Sequence, residues 1–231
     1  MPGVFFHLCE TKLITRYILE APSTFPFTRQ PGWQNDFTIG SILPDAIPRE
    51  LKYKTHFWHP KDFSHVVIAP TIETWQNTYP DAILHPMLMG YLSHLYLDRL
   101  YFTGYLPRHV RFINETGKEE LELASVTEAV LTSSGEHMPV WQFFSQDCYY
   151  GDYIRINPYL VEKYHLSMPA APVGDWPVRE TDFENYKQYC RIFAQELTSD
   201  QRFRPLQVFD RENFEQFLDR TARQFVSDCL N

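Results

Sequence analysis

A histidine and an aspartate four residues apart, His94 and Asp98, lie in the run Gly90-Tyr91-Leu92-Ser93-His94-Leu95-Tyr96-Leu97-Asp98-Arg99-Leu100-Tyr101-Phe102. On a helix this spacing puts the imidazole and the carboxylate on one face, about 5–6 Å apart at Cβ, close enough to grip one metal ion. Leu88, Leu92, Leu95, Leu97, Leu100 and Phe102 make the same helix apolar nearly all round, the pattern of a buried central helix. A carboxylate there needs a cationic partner, because an unpaired buried charge is strongly destabilising. A metal, Arg99 or another arginine, or a protonated histidine would each serve. In the plainest alternative His94 and Asp98 only satisfy each other.

A second cluster bears on that choice. Asp45 stands between two prolines in Gly40-Ser41-Ile42-Leu43-Pro44-Asp45-Ala46-Ile47-Pro48, a segment that cannot be regular helix, and Thr55-His56-Phe57 follows shortly. A loop carboxylate is a usual place for a positioned functional group, and equally for a turn former. His7 lies alone on the apolar side of an N-terminal helix, as a ligand or as a core histidine. Histidine and carboxylate ligands without cysteine suit Zn²⁺, and also Mn²⁺ or Fe²⁺.

The elements that must position these groups are mostly helices. Phe6, Leu13 and Tyr17 at near-helical spacing predict a first helix closed by Pro22 and Pro26. Prolines and glycines from Ala21 to Lys61 predict a structured loop region. A helix capped by Thr71 runs to Tyr79, and the next opens at Pro86 and runs to Phe102. Between Arg108 and Leu123 the chain forms either a small hairpin around Asn114–Gly117 or, as we favour, a short excursion before a helix entering Val130. Asn157-Pro158 reads as the cap and first position of a helix to Tyr164. Thr181 or Asp182 opens another, with Phe183, Tyr186, Cys190, Phe193 and Leu197 on one stripe. Asp210 opens the last, with Phe214, Phe217, Leu218, Thr221 and Phe225 along one side. The expectation is an all-α fold, one multi-helix domain spanning residues 1–231 with long structured loops.

Composition narrows the partners. The formal charge of −8 offers no basic face for a nucleic-acid backbone. Hydrophobic residues at 44% and aromatics at 16% support a sizeable core. Charged residues interrupt the apolar stretch from Met87 to Phe102, so no transmembrane segment is expected. Met1 to His7 carry no basic leader, long apolar run or small-residue cleavage site, which makes a cytoplasmic location the expectation. Four cysteines, Cys9, Cys148, Cys190 and Cys229, lie far apart and read as reduced and mostly buried.

Taken together, His7, Asp45, His56, His94 and Asp98 resemble the ligand order of the zinc-dependent phospholipase C family, the helical fold related to the S1/P1 nucleases, and most closely its short bacterial members. The family builds its metal cluster from an N-terminal histidine, an aspartate in a G-x-x-x-P-D type turn, a following histidine and an H-x-x-x-D pair on a central helix. The resemblance covers residues 1 to 103. It implies that Asp45, His56, His94 and Asp98 surround one zinc and that Asp98 bridges to a second ion held by His7. It also implies that Asp45, besides ligating, orients or deprotonates the attacking water. Two features depart from the family. No tryptophan precedes His7, and no histidine has glutamate four residues on, so one or two ions are implied here and not three. Asp152, in Tyr149-Tyr150-Gly151-Asp152-Tyr153, is the first candidate for a replacement ligand, ahead of Asp147, with a turn or capping role as its alternative. The competing HD phosphohydrolases carry an adjacent His-Asp pair, which is absent here. The implied activity is hydrolysis of a phosphate ester, either a small molecule or a lipid head group. The alternative is a metal-stabilised binding or scaffold protein of the same fold.

Overall fold

The computed structural model describes residues 3–20, 25–196 and 205–229. In chain order its helices are α1 (Val4–Glu20), α2 (Trp33–Gly40), α3 (Lys52–Thr55), α4 (Ile72–Thr78), α5 (Pro86–Leu100), α6 (Val140–Phe143), α7 (Tyr149–Tyr164), α8 (Phe183–Glu196) and α9 (Arg211–Asp228). The most apolar helices form the centre. α5 begins with Pro86 in its first turn, where a missing N–H costs nothing, and buries residues from Pro86 to Asp98 on nearly every side. α1 is buried along most of its length and packs against α9, α7 and α5. Among the described residues no helix is long and apolar enough to cross a membrane.

The tightest crossing in this centre is that of α2 over α5, and glycine makes it possible. A Cβ on Gly40 would lie 1.9 Å from the Met87 carbonyl oxygen, and one on Gly90 would lie 1.9 Å from the Phe37 carbonyl oxygen. The two backbones therefore touch directly at a pair of missing side chains. This contact brings the turn after α2, which carries Asp45, against the middle of α5, which carries His94 and Asp98.

Three sequence expectations are corrected. The helix expected to enter Val130 is absent. Instead β1 (Val110–Ile113), β2 (Glu128–Leu131) and β3 (His137–Pro139) form an antiparallel sheet in that order, with Val110 opposite Leu131 and Ala129 opposite Met138. Asn114 Oδ1 accepts from the Thr116 and Lys118 amides, and Gly117 takes a left-handed conformation at φ 77°, so turn chemistry prevails over the acidic run. The fold is thus mostly helical with a small sheet. α7 starts at Tyr149, eight residues before Asn157, and keeps Pro158 inside it. Its buried stripe of Tyr149, Tyr153, Ile156 and Leu160, at 4, 3, 4 spacing, outweighs the local cost of the proline. The proline-rich region 21–61 holds α2 and α3 as well as loops, because Trp33, Phe37 and Gly40 give even this short segment a helical buried face.

The later caps are as read. Asp182 accepts from the Asn185 amide and Asp210 from the Asn213 amide, both at 2.8 Å. Leu197 lies outside the described residues. Cys9 and Cys148 are buried, Cys190 and Cys229 are half-buried, and all four are free.

Candidate metal centre

Four segments converge on one point in the core. α1 contributes His7, the 3₁₀ turn Leu43–Asp45 contributes Asp45, the end of α3 contributes His56, and α5 contributes His94 and Asp98. All five are buried, and Asp45, at 5% exposure, is the outermost. Hydrogen bonds lock the turn to α3 and α5: Thr55 Oγ1 donates to the Pro44 carbonyl at 2.7 Å, and the Tyr91 hydroxyl donates to the Thr55 carbonyl at 2.6 Å.

The imidazole orientations follow from what their Nδ1 atoms meet. His94 Nδ1 lies 2.9 Å from the Ser41 carbonyl and His56 Nδ1 lies 3.0 Å from the Lys52 carbonyl. A carbonyl only accepts, so each Nδ1 carries the proton and each Nε2 a lone pair. Those two Nε2 atoms face each other at 3.2 Å. Two lone pairs at that distance repel unless a cation lies between them. The remaining contacts point the same way: His56 Nε2 is 3.6 Å from Asp45 Oδ1 and 3.5 Å from Asp98 Oδ2, His94 Nε2 is 3.7 Å from Asp98 Oδ2, and His7 Nε2 is 3.5 Å from Asp98 Oδ1. These separations are too long for good hydrogen bonds. Together with the 3.2 Å gap between the two Nε2 atoms they bracket the edges, about 3.3–3.4 Å, that Zn–N bonds of about 2.0–2.1 Å impose on tetrahedral ligands.

The donors form two overlapping triads, His7/His94/Asp98 and Asp45/His56/His94, each with its ligand atoms within 4.8 Å of one another. Asp98 turns one oxygen toward His7 and the other toward His56 and His94, the arrangement of a carboxylate able to bridge. Both its oxygens, and both nitrogens of His7, are buried without a hydrogen-bond partner. Orphaned atoms of this kind, all of them metal donors, fit a divalent ion. The His7 and His94 rings stack at 3.7 Å, as neutral imidazoles can.

Electrostatics keep the nitrogens available. Burial, and then the neighbouring His94 ring, hold His7 and His56 well below the ordinary histidine range, and burial lowers His94 to about 4. Burial, and then the charge of Asp45, push Asp98 well above the usual carboxylate range. Asp45 goes the other way. Burial opposes its ionisation, but the Lys52 ammonium, 2.5 Å from Oδ1, outweighs it and holds the group below the usual range.

A pH dependence follows for the protein in excess chelator. Above the ordinary carboxylate range the folded chain retains protons on Asp98 and on the buried Glu10 that the unfolded chain has released, so their contribution to stability falls as pH rises. Below about pH 6.5 the unfolded chain protonates its histidines while His7, His56 and His94 in the folded chain stay neutral. Three rings then outnumber two carboxylates, and stability falls as pH drops. Urea midpoints measured from pH 5 to 8.5 should stop rising near pH 6.5, and a steady rise to pH 8.5 would contradict the assignment.

Asp152, expected as a replacement ligand, has another task. Its carboxylate accepts from Arg155 at 2.6 Å and from the amides of Gln207, Val208 and Phe209 at 2.7–3.1 Å. It belongs to neither triad. It ties α7 to the segment entering α9, and every lone pair a metal would use is already engaged. Asp147 is exposed and also outside both triads. Asp152→Asn keeps the shape but loses the charge that holds Arg155 and the amides, and is expected to lower stability by about 2 kcal/mol in a denaturation curve while leaving metal content unchanged.

Sequence reasoning missed two features of the site, the pair of groups that holds Asp45 and a buried acid on α1. Lys52 caps Asp45 from the solvent side, with 15% of its side chain exposed, and the Tyr189 hydroxyl on α8 donates to Asp45 Oδ2 at 3.2 Å. A cleft of 170 Å³ lined by Ala46, Ile47, Pro48 and Tyr189, among others, adjoins this edge. The second is Glu10, fully buried on α1 one turn beyond His7, with both oxygens unpartnered. The i, i+3 spacing of His7 and Glu10 was the available signal. No protein-family model, no curated protein and no solved structure matches this chain.

Proposed function

We propose that the chain is a metal-dependent hydrolase of phosphate esters, with zinc as the first candidate ion and Mn²⁺ or Fe²⁺ as alternatives of the same ligand chemistry. The observation that carries this is the pair of His56 and His94 lone pairs facing each other at 3.2 Å between the carboxylates of Asp45 and Asp98. His56, His94, Asp45 and Asp98 would hold one ion, and His7 with Asp98 would hold a second. Bound there, the metal supplies Lewis acidity toward phosphoryl oxygens and acidifies water at neutral pH. The chain's own groups do the rest. The carbonyls of Ser41 and Lys52 fix the imidazoles in the Nδ1–H form. Asp45, kept ionised by Lys52 and placed at the outer edge of the cluster, is positioned to orient a water and take its proton. Lys52 puts a positive charge on the approach side, which suits an anionic substrate such as a phosphoester or a lipid head group.

Burial favours a second reading. His7, His56, His94 and Asp98 have no exposed surface, as expected of a metal that stabilises a scaffold without catalysis. Elemental analysis of protein purified without chelator or histidine tag, paired with turnover on phosphomonoesters, phosphodiesters and a phosphocholine ester, separates the two. One or two equivalents of metal with chelator-sensitive turnover, both lost in His94→Ala, is the expected result. Tight metal without turnover across the panel leaves the scaffold reading. Protein without stoichiometric metal overturns both.

A further inference from the structure

The proposed ligands leave one buried carboxylate in the core without a task. Glu10 lies three residues after His7, so the two side chains share a face of α1. It has no exposed surface, and neither oxygen has a hydrogen-bond partner. Asp98, the residue that faces His7, is close enough for its charge to act on Glu10. An ionised carboxylate in such a place is strongly disfavoured, and a protonated one would still lack an acceptor for its O–H. Leucine or methionine would pack there at less cost.

Charge balance gives Glu10 a purpose. Two divalent ions and the Lys52 ammonium carry +5, against which Asp45 and Asp98 supply −2, leaving +3 at a largely buried site. A third carboxylate reduces the excess to +2, a large difference where charge is poorly solvated. The two triads share His94, whose single Nε2 lone pair can serve only one ion, so with His94 beside Asp45 and His56 the other position is left with His7 and Asp98.

We infer that Glu10 is a ligand of a second divalent ion, completing with His7 and Asp98 a position on the α1 side of the centre. This rests on reading the cluster as a metal centre. Oxygen and nitrogen donors of this kind suit Zn²⁺, Mn²⁺ or Fe²⁺.

Zinc titration of the full chain, followed calorimetrically and by elemental analysis after desalting, tests it. The unsubstituted chain should take two equivalents. Glu10→Gln should keep one and bind the second about 100-fold more weakly, the order of loss seen when a supporting group of a metal site is removed. His7→Ala should lose the same equivalent, and His56→Ala the other. Two equivalents of unchanged affinity in Glu10→Gln overturn the inference and leave the centre standing. One equivalent in the unsubstituted chain also overturns it, whereas no zinc at all brings down the metal-centre reading itself. Thermal melts in chelator check folding: Glu10→Gln replaces a buried, unpartnered acid with a neutral amide of the same shape and should not melt lower at pH 7.5. Should that variant not fold, Glu10→Asp keeps the charge but withdraws the carboxylate, and must weaken the second equivalent for the inference to survive.

Discussion

Asp98→Asn is expected to remove bound metal and phosphoester turnover while leaving the protein folded. The carboxylate reaches both triads, with Oδ1 3.5 Å from His7 Nε2 and Oδ2 3.5 Å from His56 Nε2. An asparagine of the same shape keeps one oxygen and replaces the other with an N–H₂ group, which presents hydrogens to a cation and cannot bridge. Metal affinity should fall at least ~100-fold, beyond the loss typical of removing a supporting group alone. Stability in chelator should hold or rise at neutral pH, because the substitution removes a buried and unpartnered acid. Elemental analysis and turnover on a phosphodiester, measured beside a urea curve, read all three. Full metal content together with full turnover would refute the role assigned to Asp98.

Gly90→Ala should be among the most damaging single-methyl changes in the molecule. The new Cβ would meet the Phe37 carbonyl oxygen at 1.9 Å and the Ser41 amide nitrogen at 3.0 Å, and both are backbone atoms that cannot rotate away. α2 and α5 must separate. The intrinsic helix preference of alanine, worth about 0.5–1 kcal/mol, is outweighed by an overpacking cost of about 3 kcal/mol. Separation also lengthens the 2.9 Å contact between His94 Nδ1 and the Ser41 carbonyl, so the ring loses its fixed orientation and metal binding weakens along with stability. Gly104→Ala is the control. Nothing lies within 4 Å of that Cβ position, so its urea midpoint should move by no more than about 0.5 kcal/mol in stability. Equal effects from the two substitutions would show that the crossing is not what positions the centre.

The spacing of His94 and Asp98, the proline-flanked Asp45 and the caps at Asp182 and Asp210 are all local properties. A helix places i and i+4 on one face whatever surrounds it, and a short polar side chain before an apolar stripe caps a helix end on its own terms. These features, together with the largely helical character of the chain, were therefore legible in the residues. The small sheet was not, because a run of acids such as Glu119–Glu122 is compatible with a helix until strands distant in sequence supply partners for Val110–Ile113. Pro158 misled for a related reason: a cap is a local inference, and the apolar stripe from Tyr149 to Leu160 outweighs it only once there is a core to pack against.

Side-chain type and spacing thus determined which residues could serve as metal donors and on which elements they would lie. Tertiary structure alone decided which donors meet. Asp152, whose sequence setting suited a ligand, is claimed by Arg155 and three amides that arrive from more than fifty residues away. Glu10, which on an isolated helix would be an ordinary solvated acid, becomes an unpartnered carboxylate because α5, α7 and α9 close around α1. The cost of burying a charge depends on everything packed against it, and that is a property of the assembled core.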